Sequence, residues 1–589
     1  MDRPTLPEVV MGHAQRFPGR KALVSVSYDG TAPADQVLTY GELHAAALSL
    51  GSHLRRSCEV GDRVLLLYPS GPDFLIAFLG CLYAGAVPVP APLPTGPRHH
   101  LDRTTGIALD ADVSAVLTQA RDLVTIADWL DQDGIADLPV TATDVAHPGR
   151  SLTAPVRTDP GTTAYLQYSS GANNRLRGVV VTHDCLVDNL RLIQRTYRLT
   201  ATDTFCTWLP LHSDLGLVAS LLEPLHLGGT AVVMPPHAFV SAPHRWLELI
   251  DRSGATISFA PSSAFELCVR RVTDEQVGRV DLSRWRHACN GGEPIDPGTL
   301  AAFAARFAPA RFRETALRPG YGLAEATLLV TGAGPDRAPT VVRVDPRELE
   351  NGRFEPVPPG AEGKPLVSSG TIDGLDVRVV EPDLAAELPD GRLGEIWVRG
   401  GSVTAGYWRR GTETEAAFGG VLGSGEGRFL RTGDLGVRHG GELYVLGRLA
   451  DMMFLQGRTL HPRDVEQAAL AADGTSTGLA AAAFLLAGSR NVVVVQEVDA
   501  DRVGRDGVAR LADAVRRSVG RRMGILVSRL VFVPPGGLPR STRGKVQRAL
   551  VEELFLADAL TPLDALPGPR TREPSRRPAP LATTGRKAG

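Results

Sequence analysis

The chain has 589 residues, of which 43% are hydrophobic and 22% charged, and a formal net charge of −2 at pH 7 with a pI near 6.7. This length exceeds one ordinary hydrophobic core, so two or more domains are expected. The near-neutral balance gives no basis for binding nucleic acid or an anionic membrane surface, and no charge-free apolar run of about 18 residues marks a membrane span.

Thr39-Tyr40-Gly41-Glu42-Leu43 opens a helix, with apolar positions Leu43, Ala46, Ala47, Leu50 and Leu54 at helical spacing. Val64 to Tyr68 reads as a buried strand, and Pro69-Ser70-Gly71-Pro72 turns into a helix through Gly85. Val87 to Pro94 is a proline-rich strand and loop. The alternation recurs at Ala115–Thr118, Thr163–Tyr168, Thr230–Met234 and Thr256–Phe259, which predicts parallel α/β layers. From about Thr371 the texture changes to short strands, Leu375–Val380, Gly394–Val398 and Gly441–Val445, between glycine-rich turns. That fits a small β-rich subdomain closing the large domain. After Arg448 comes a small α+β pattern: helices over Asp464–Ala472 and Asp506–Val519, strands over Ala481–Leu486, Asn491–Glu497 and Leu526–Val533. The Pro- and Arg-rich end is expected to be a disordered tail. The six cysteines are scattered without a C-x-x-C pair, so reduced thiols and a cytoplasmic setting are expected. Met1-Asp2-Arg3-Pro4 lacks the apolar core of a signal peptide.

Three constellations carry chemistry. In Leu166-Gln167-Tyr168-Ser169-Ser170-Gly171-Ala172-Asn173-Asn174-Arg175-Leu176-Arg177-Gly178, a strand enters a small polar loop. Backbone N–H groups of such a loop can cradle phosphates and its arginines can neutralise them, although the same residues also make ordinary hairpin turns. In Asn290-Gly291-Gly292-Glu293-Pro294 and Tyr321-Gly322-Leu323-Ala324-Glu325, glycines let a flat ring lie on the backbone and Tyr321 offers a stacking face. Glu325 is a candidate Mg²⁺ ligand; a glycine turn and a helix-starting glutamate read equally well. In Arg431-Thr432-Gly433-Asp434 and Gly447-Arg448, Asp434 suits the two hydroxyls of a ribose and Arg448 the same sugar or its phosphate. Singly, each also fits a surface salt bridge. Lysine occurs only at Lys21, Lys364, Lys545 and Lys587. Lys545 follows Gly544 in Ser541-Thr542-Arg543-Gly544-Lys545-Val546-Gln547-Arg548, and a compact ammonium there is not interchangeable with an arginine fork.

Together, over about residues 5–557, these pieces resemble the adenylate-forming superfamily of acyl- and aryl-CoA synthetases, luciferases and nonribosomal adenylation domains. The motifs that carry the resemblance are S-S-G…R-G-V-V-V-T-H, Y-G-L-A-E-A-T, R-T-G-D-L-G, G-R-L-x-D and S-x-x-G-K-V-Q-R. Within it the chain is most similar to fatty acyl-AMP ligases, through Leu166–Gly171, Trp208–Leu217 and Gln456–Glu466. Residues 342–369 resemble that family's extra segment, which is thought to limit the rotation needed for CoA chemistry. The resemblance implies an N-terminal AMP-binding domain over 1–447, a hinge at 448–451, a small mobile lysine-bearing domain over 452–557 and a tail over 558–589. It implies ATP and Mg²⁺ as cosubstrates and conversion of a carboxylic acid to an acyl-adenylate with release of pyrophosphate. Transfer to the phosphopantetheine thiol of an acyl carrier protein in natural-product biosynthesis would follow. Residue by residue, it implies Lys545, Glu325 and Arg448 in catalysis, with Glu325 at the metal. Ser169, Ser170, Gly171 and Arg177 would hold phosphates. Gly291, Gly292, Glu293, Tyr321, Gly322 and Leu323 would hold adenine, and Asp434 and Arg448 the ribose. His212, Ser213, Asp214, Gly216 and Phe259 would face the acid.

The chain departs from the family's wording in four places, one being His212-Ser213-Asp214 where relatives carry an aromatic-His-Asp run. Its phosphate loop replaces hydroxyls, a glycine, a proline and a lysine with Ala172-Asn173-Asn174-Arg175-Leu176-Arg177. Phe259-Ala260-Pro261-Ser262 stands where relatives read G-G-P-N, so a shortened acyl tunnel for a small or aromatic acid is expected. The hinge position after G-R-L is Ala450. Two alternatives stay open: transfer to CoA, an amine or another nucleophile, and a nucleotide-binding pseudo-ligase.

Overall fold

The computed structural model describes residues 4–563 apart from 29–32, 96–97, 146–151, 171–175, 336, 456–457, 473–478, 487–490, 500–502, 504 and 541–545. Two compact units divide at His461 and Pro462. That division lies beyond the 448–451 stretch, where Arg448 ends a strand and Leu449–Asp451 forms one 3-10 turn within the larger unit.

In the larger unit, Thr39 and Glu42 form a reciprocal capping box that starts the helix Tyr40–Leu54, whose buried face carries Leu43, Ala47, Leu50 and Leu54. An eight-stranded sheet runs in the order Leu329–Gly332, Leu317–Gly322, His287–Asn290, Ile257–Ala260, Thr204–Thr207, Thr230–Val233, Lys21–Ser27, Ala34–Thr39. Its interior pairings are parallel and its two outer pairings antiparallel. The inner strands read as continuous apolar runs because both faces are covered; Ile257–Ala260 and His287–Asn290 are buried throughout. A second, parallel sheet joins Val87–Ala91, Arg63–Leu67, Ala115–Thr118 and Val140–Ala142. Thr163–Ser170, expected among the parallel layers, instead pairs antiparallel with Leu176–Thr182, because only residues 171–175 join them and so short a link permits a hairpin but no parallel crossover. The β-rich part is antiparallel, built on the long strand Gly427–His439 between Gly394–Arg399 and Glu442–Arg448. Residues 342–369 fold as the strand pair Val341–Val344/Lys364–Val367 with a helix Pro346–Glu350. Val344, Leu349 and Phe354 bury their side chains with Val437 and Tyr444 of the β-rich sheet.

The smaller unit has the strands Ala481–Leu485, Val492–Glu497 and Val527–Val533 and the helices Pro462–Leu470, Arg505–Met523 and Arg548–Leu556. Buried Glu497 accepts hydrogen bonds from the N–H groups of Ala480, Gly536 and Leu538 and pairs with Arg540 at 2.9 Å. All six cysteines are buried and free. No helix among the described residues is long and apolar enough to cross a membrane.

Candidate active site

Three adjacent parallel strands, Ile257–Ala260, His287–Asn290 and Leu317–Gly322, bring Phe259, the Gly291-Gly292 turn and Tyr321 to one edge of the sheet. Carboxyl ends of parallel strands are where open α/β sheets bind ligands. Gly292 has φ +79° and Gly291 packs under Gly320, where an added Cβ would sit 3.1 Å from the carbonyl oxygen. Glu293 is engaged locally: its carboxylate accepts the Ser263 N–H at 3.0 Å and the Ser263 hydroxyl at 3.2 Å, at the start of the helix Ser262–Arg271.

Tyr321, Asp434 and Arg448 meet. The Tyr321 hydroxyl donates to Asp434 Oδ2 at 2.6 Å, and Arg448 Nε lies 2.9 Å from Asp434 Oδ1. Burial, and then the Asp434 carboxylate, raises the Tyr321 hydroxyl well above the usual phenol range, so it stays a donor. The Asp434 carboxylate likewise raises Arg448. The turn before Asp434 is fixed from beneath. Thr432 Oγ1 donates to the Ile396 carbonyl at 2.7 Å and accepts the Asp434 N–H at 3.0 Å. Buried Glu395 accepts from the Gly433 N–H at 3.1 Å and from Arg431 and Trp397. Thr432 was part of the R-T-G-D-L-G motif but was given no role from the sequence, and Glu395 did not stand out.

Glu325 lies in a 3-10 turn, Ala324–Ala326, just after Leu323. Its Oε1 accepts the Tyr407 hydroxyl at 2.9 Å. Arg177, in the strand leaving the phosphate loop, sits 5.1 Å from the Tyr407 ring centroid and pairs through Nε with Glu413 at 2.9 Å. Arg410 extends this network, bridging Glu413 and Asp110, and the Tyr168 hydroxyl donates to Asp110 at 2.7 Å. No group of three or more His, Cys, Asp or Glu among the described residues forms a metal cage. A lone carboxylate does suit Mg²⁺, which takes one or two carboxylates together with substrate phosphates and waters. Ser169 and Ser170 pair in register with Arg177 and Leu176. Gly171 and Lys545 lie outside the described residues, as does the tail from residue 564. Around the lysine's segment, Arg540 and Val546 form a β-bridge, the Gln547 N–H donates to the Pro539 carbonyl at 2.9 Å, and Arg548 pairs with Glu466 at 2.8 Å.

Among the residues expected to face the acid, the His212 carbonyl accepts from Gln167 Nε2 at 3.1 Å. The Ser213 hydroxyl donates to the Pro210 carbonyl at 2.7 Å and accepts the Gly216 N–H at 3.2 Å, and Asp214 Oδ1 accepts the Leu215 N–H at 2.8 Å. Gly216 is required here, because a Cβ would lie 2.2 Å from the Pro210 carbonyl oxygen. This turn launches a π-helix, Leu215–Leu222, that packs against Ile257–Ala260 and the helix His183–Tyr197. π-helical turns are rare and concentrate at functional sites. Phe259 is 5% exposed and meets Tyr197 edge-on, with ring centroids 6.0 Å apart. Glu223, directly after the π-helix, is fully buried with neither carboxylate oxygen hydrogen-bonded.

Residues 11–408 match the AMP-binding enzyme family. The chain is 35% identical over 589 residues to the 4-hydroxyphenylalkanoate adenylyltransferase of Mycobacterium tuberculosis, covering 96% of this chain and 94% of that protein. It is 33% identical to the long-chain-fatty-acid–AMP ligase FadD23 of the same species, covering 96% and 98%. Among solved structures it is similar to a fatty acyl-adenylate ligase from L. pneumophila in complex with acyl adenylate and pyrophosphate. That match has 30% identity and a TM-score of 0.72, and covers 94% of this chain and 96% of the other.

Proposed function

The chain belongs to the AMP-binding enzyme family, and from that premise we propose that it is a ligase that adenylates an aryl or short-chain acid and passes the acyl group to a carrier-protein thiol. ATP-dependent formation of an acyl-adenylate from a carboxylic acid is the activity the family supports. In that step a carboxylate oxygen bonds to the α-phosphorus while the bond from that phosphorus to the bridging oxygen breaks. Pyrophosphate leaves with the bonding electron pair. Both reactants are anions, so cations placed where charge builds in the transition state lower the barrier. Lys545 and Arg177 are the proposed cations. Asp434 and Arg448 are the proposed ribose and phosphate contacts, Tyr321 with Gly291 and Gly292 the adenine shelf, and Glu325 the protein ligand of Mg²⁺. Bound there, Mg²⁺ would neutralise phosphate charge.

The observation that carries the reading is the joined cluster of Tyr321, Asp434 and Arg448 beside Glu325, where burial and ion pairing leave the tyrosine neutral and the arginine charged. The acid class is supported by Phe259, a buried ring packed edge-on against Tyr197 where a smaller residue was expected, and by a relative named for 4-hydroxyphenylalkanoates. For the acceptor, the support is the folded segment 342–369 and the relative named an AMP ligase. In this reading a pantetheine thiol attacks the acyl carbon, AMP departs and a thioester remains.

The test is pyrophosphate release and acyl-AMP mass with ATP, Mg²⁺ and a panel of fatty, aryl and amino acids, for the parent and Lys545→Ala. The expected result is adenylate with arylalkanoic acids, lost by orders of magnitude in the variant while ATP binding persists. ATP binding without adenylate from any acid would overturn it in favour of the pseudo-ligase.

A further inference from the structure

The stretch Thr404–Trp408 threads between the strand that leaves the phosphate loop and the backbone of Glu325. On one side, Val180 N–H donates to the Gly406 carbonyl at 2.9 Å and Trp408 N–H to the Gly178 carbonyl at 2.7 Å. Val179 and Tyr407 form a β-bridge. On the other side, the Thr404 N–H donates to the Glu325 carbonyl at 2.9 Å. The stretch is also clamped from outside: Tyr407 N–H donates to Thr414 Oγ1 at 3.0 Å, and the Phe418 ring meets Tyr407 edge-on at 5.4 Å. Gly406 has φ +124°, and a Cβ there would lie 2.3 Å from Thr414 Cγ2, so only glycine permits the clamp.

One side chain in this stretch touches both charged halves of the site. Tyr407 is 7% exposed. Its ring face takes Arg177 and its hydroxyl takes Glu325 Oε1.

We propose that Tyr407 is a positioning residue that fixes the Glu325 carboxylate for a divalent cation and sets its separation from Arg177, a role that rests on the nucleotide-activating reading above. Hydrogen bonds that orient a metal's carboxylate ligand change metal affinity about 10- to 100-fold when removed. Tyr407→Phe isolates that term, because the ring that carries Arg177 and packs on Phe418 is kept and only the hydroxyl is lost.

The test uses the full chain, α,β-methylene-ATP as the nucleotide and Mn²⁺ as an EPR-visible stand-in for Mg²⁺. Mn²⁺ affinity is titrated in the presence of the analogue for the parent, Tyr407→Phe, Glu325→Gln and the double variant. Analogue affinity without metal and the thermal midpoint without ligands are measured alongside. The expected result is about tenfold weaker Mn²⁺ binding in Tyr407→Phe, metal-free nucleotide affinity within about twofold of the parent, and no further loss when Tyr407→Phe is added to Glu325→Gln. A role in packing alone would lower the thermal midpoint and leave the Mn²⁺ titration unmoved. Parental Mn²⁺ affinity in Tyr407→Phe, or a full additional loss in the double variant, overturns the proposal while leaving the adenylation reading intact. A parent that binds no Mn²⁺ with the analogue and forms no adenylate overturns both.

Discussion

Glu223 gives a prediction that depends on burial alone. Both carboxylate oxygens are buried without a hydrogen-bond partner, and burial is the sole cause raising its pKa well above the usual carboxylate range. The unfolded chain sheds this proton near pH ~4.3, while the folded chain keeps it. Folding therefore takes up a proton above that pH, and stability falls as pH rises until the folded-state pKa is reached. The slope is about 1.4 kcal/mol per pH unit, or roughly 3 kcal/mol between pH 5 and 7 while the group stays protonated. At about 2.1 cal/mol/K per residue, a unit of this size unfolds with an entropy near 1 kcal/mol/K, so each pH unit moves its thermal midpoint by about 1.4 °C. Glu223→Gln keeps the shape and removes the titration. Calorimetry of parent and variant from pH 5 to 8 should give midpoints that diverge steadily, the variant gaining about 3 °C on the parent between pH 5 and 7. Parallel curves would mean that Glu223 has a compensating partner or is ionised in the fold, and the reasoning would fail.

Two further substitutions probe the site. Asp434→Asn removes the charge opposite Arg448 and is expected to weaken ATP and AMP binding by about 10- to 100-fold, the worth of a charge-assisted hydrogen bond, as read by calorimetric titration; unchanged affinity would remove Asp434 from the nucleotide contacts. Phe259→Ala is expected to destabilise by about 3–5 kcal/mol and to raise kcat/KM for longer acids relative to short ones; an unchanged ratio across chain lengths would show that Phe259 does not bound the acid pocket.

Much of the architecture was legible because the strands are short apolar runs with glycine or proline at their ends. The strand expected over Gly394–Val398 spans Gly394–Arg399, and the one expected over Gly441–Val445 spans Glu442–Arg448. The meeting of Tyr321, Asp434 and Arg448 followed the motif order, since Asp434 and Arg448 are opposed in one antiparallel register. Tyr407 and Glu413 were not legible. Their partners, Glu325 and Arg177, lie far off in sequence, and a Gly-Tyr-Trp run beside an arginine pair gives no local sign of what it will face. The π-helix was also hidden, because Leu215–Leu222 is apolar all round and carries no period to read. Glu293 illustrates the converse: a glutamate beside two glycines suggested a ligand contact, yet its carboxylate is occupied at the start of a neighbouring helix.

The contacts of Glu497 in the smaller unit tie separate stretches of chain to one carboxylate. Arg540 forms a β-bridge with Val546. Arg540 is in turn held by Glu497, a carboxylate rooted in the unit's central strand. The 536–540 turn and the Val546 bridge therefore share one buried anchor, and they order or come apart together rather than one by one.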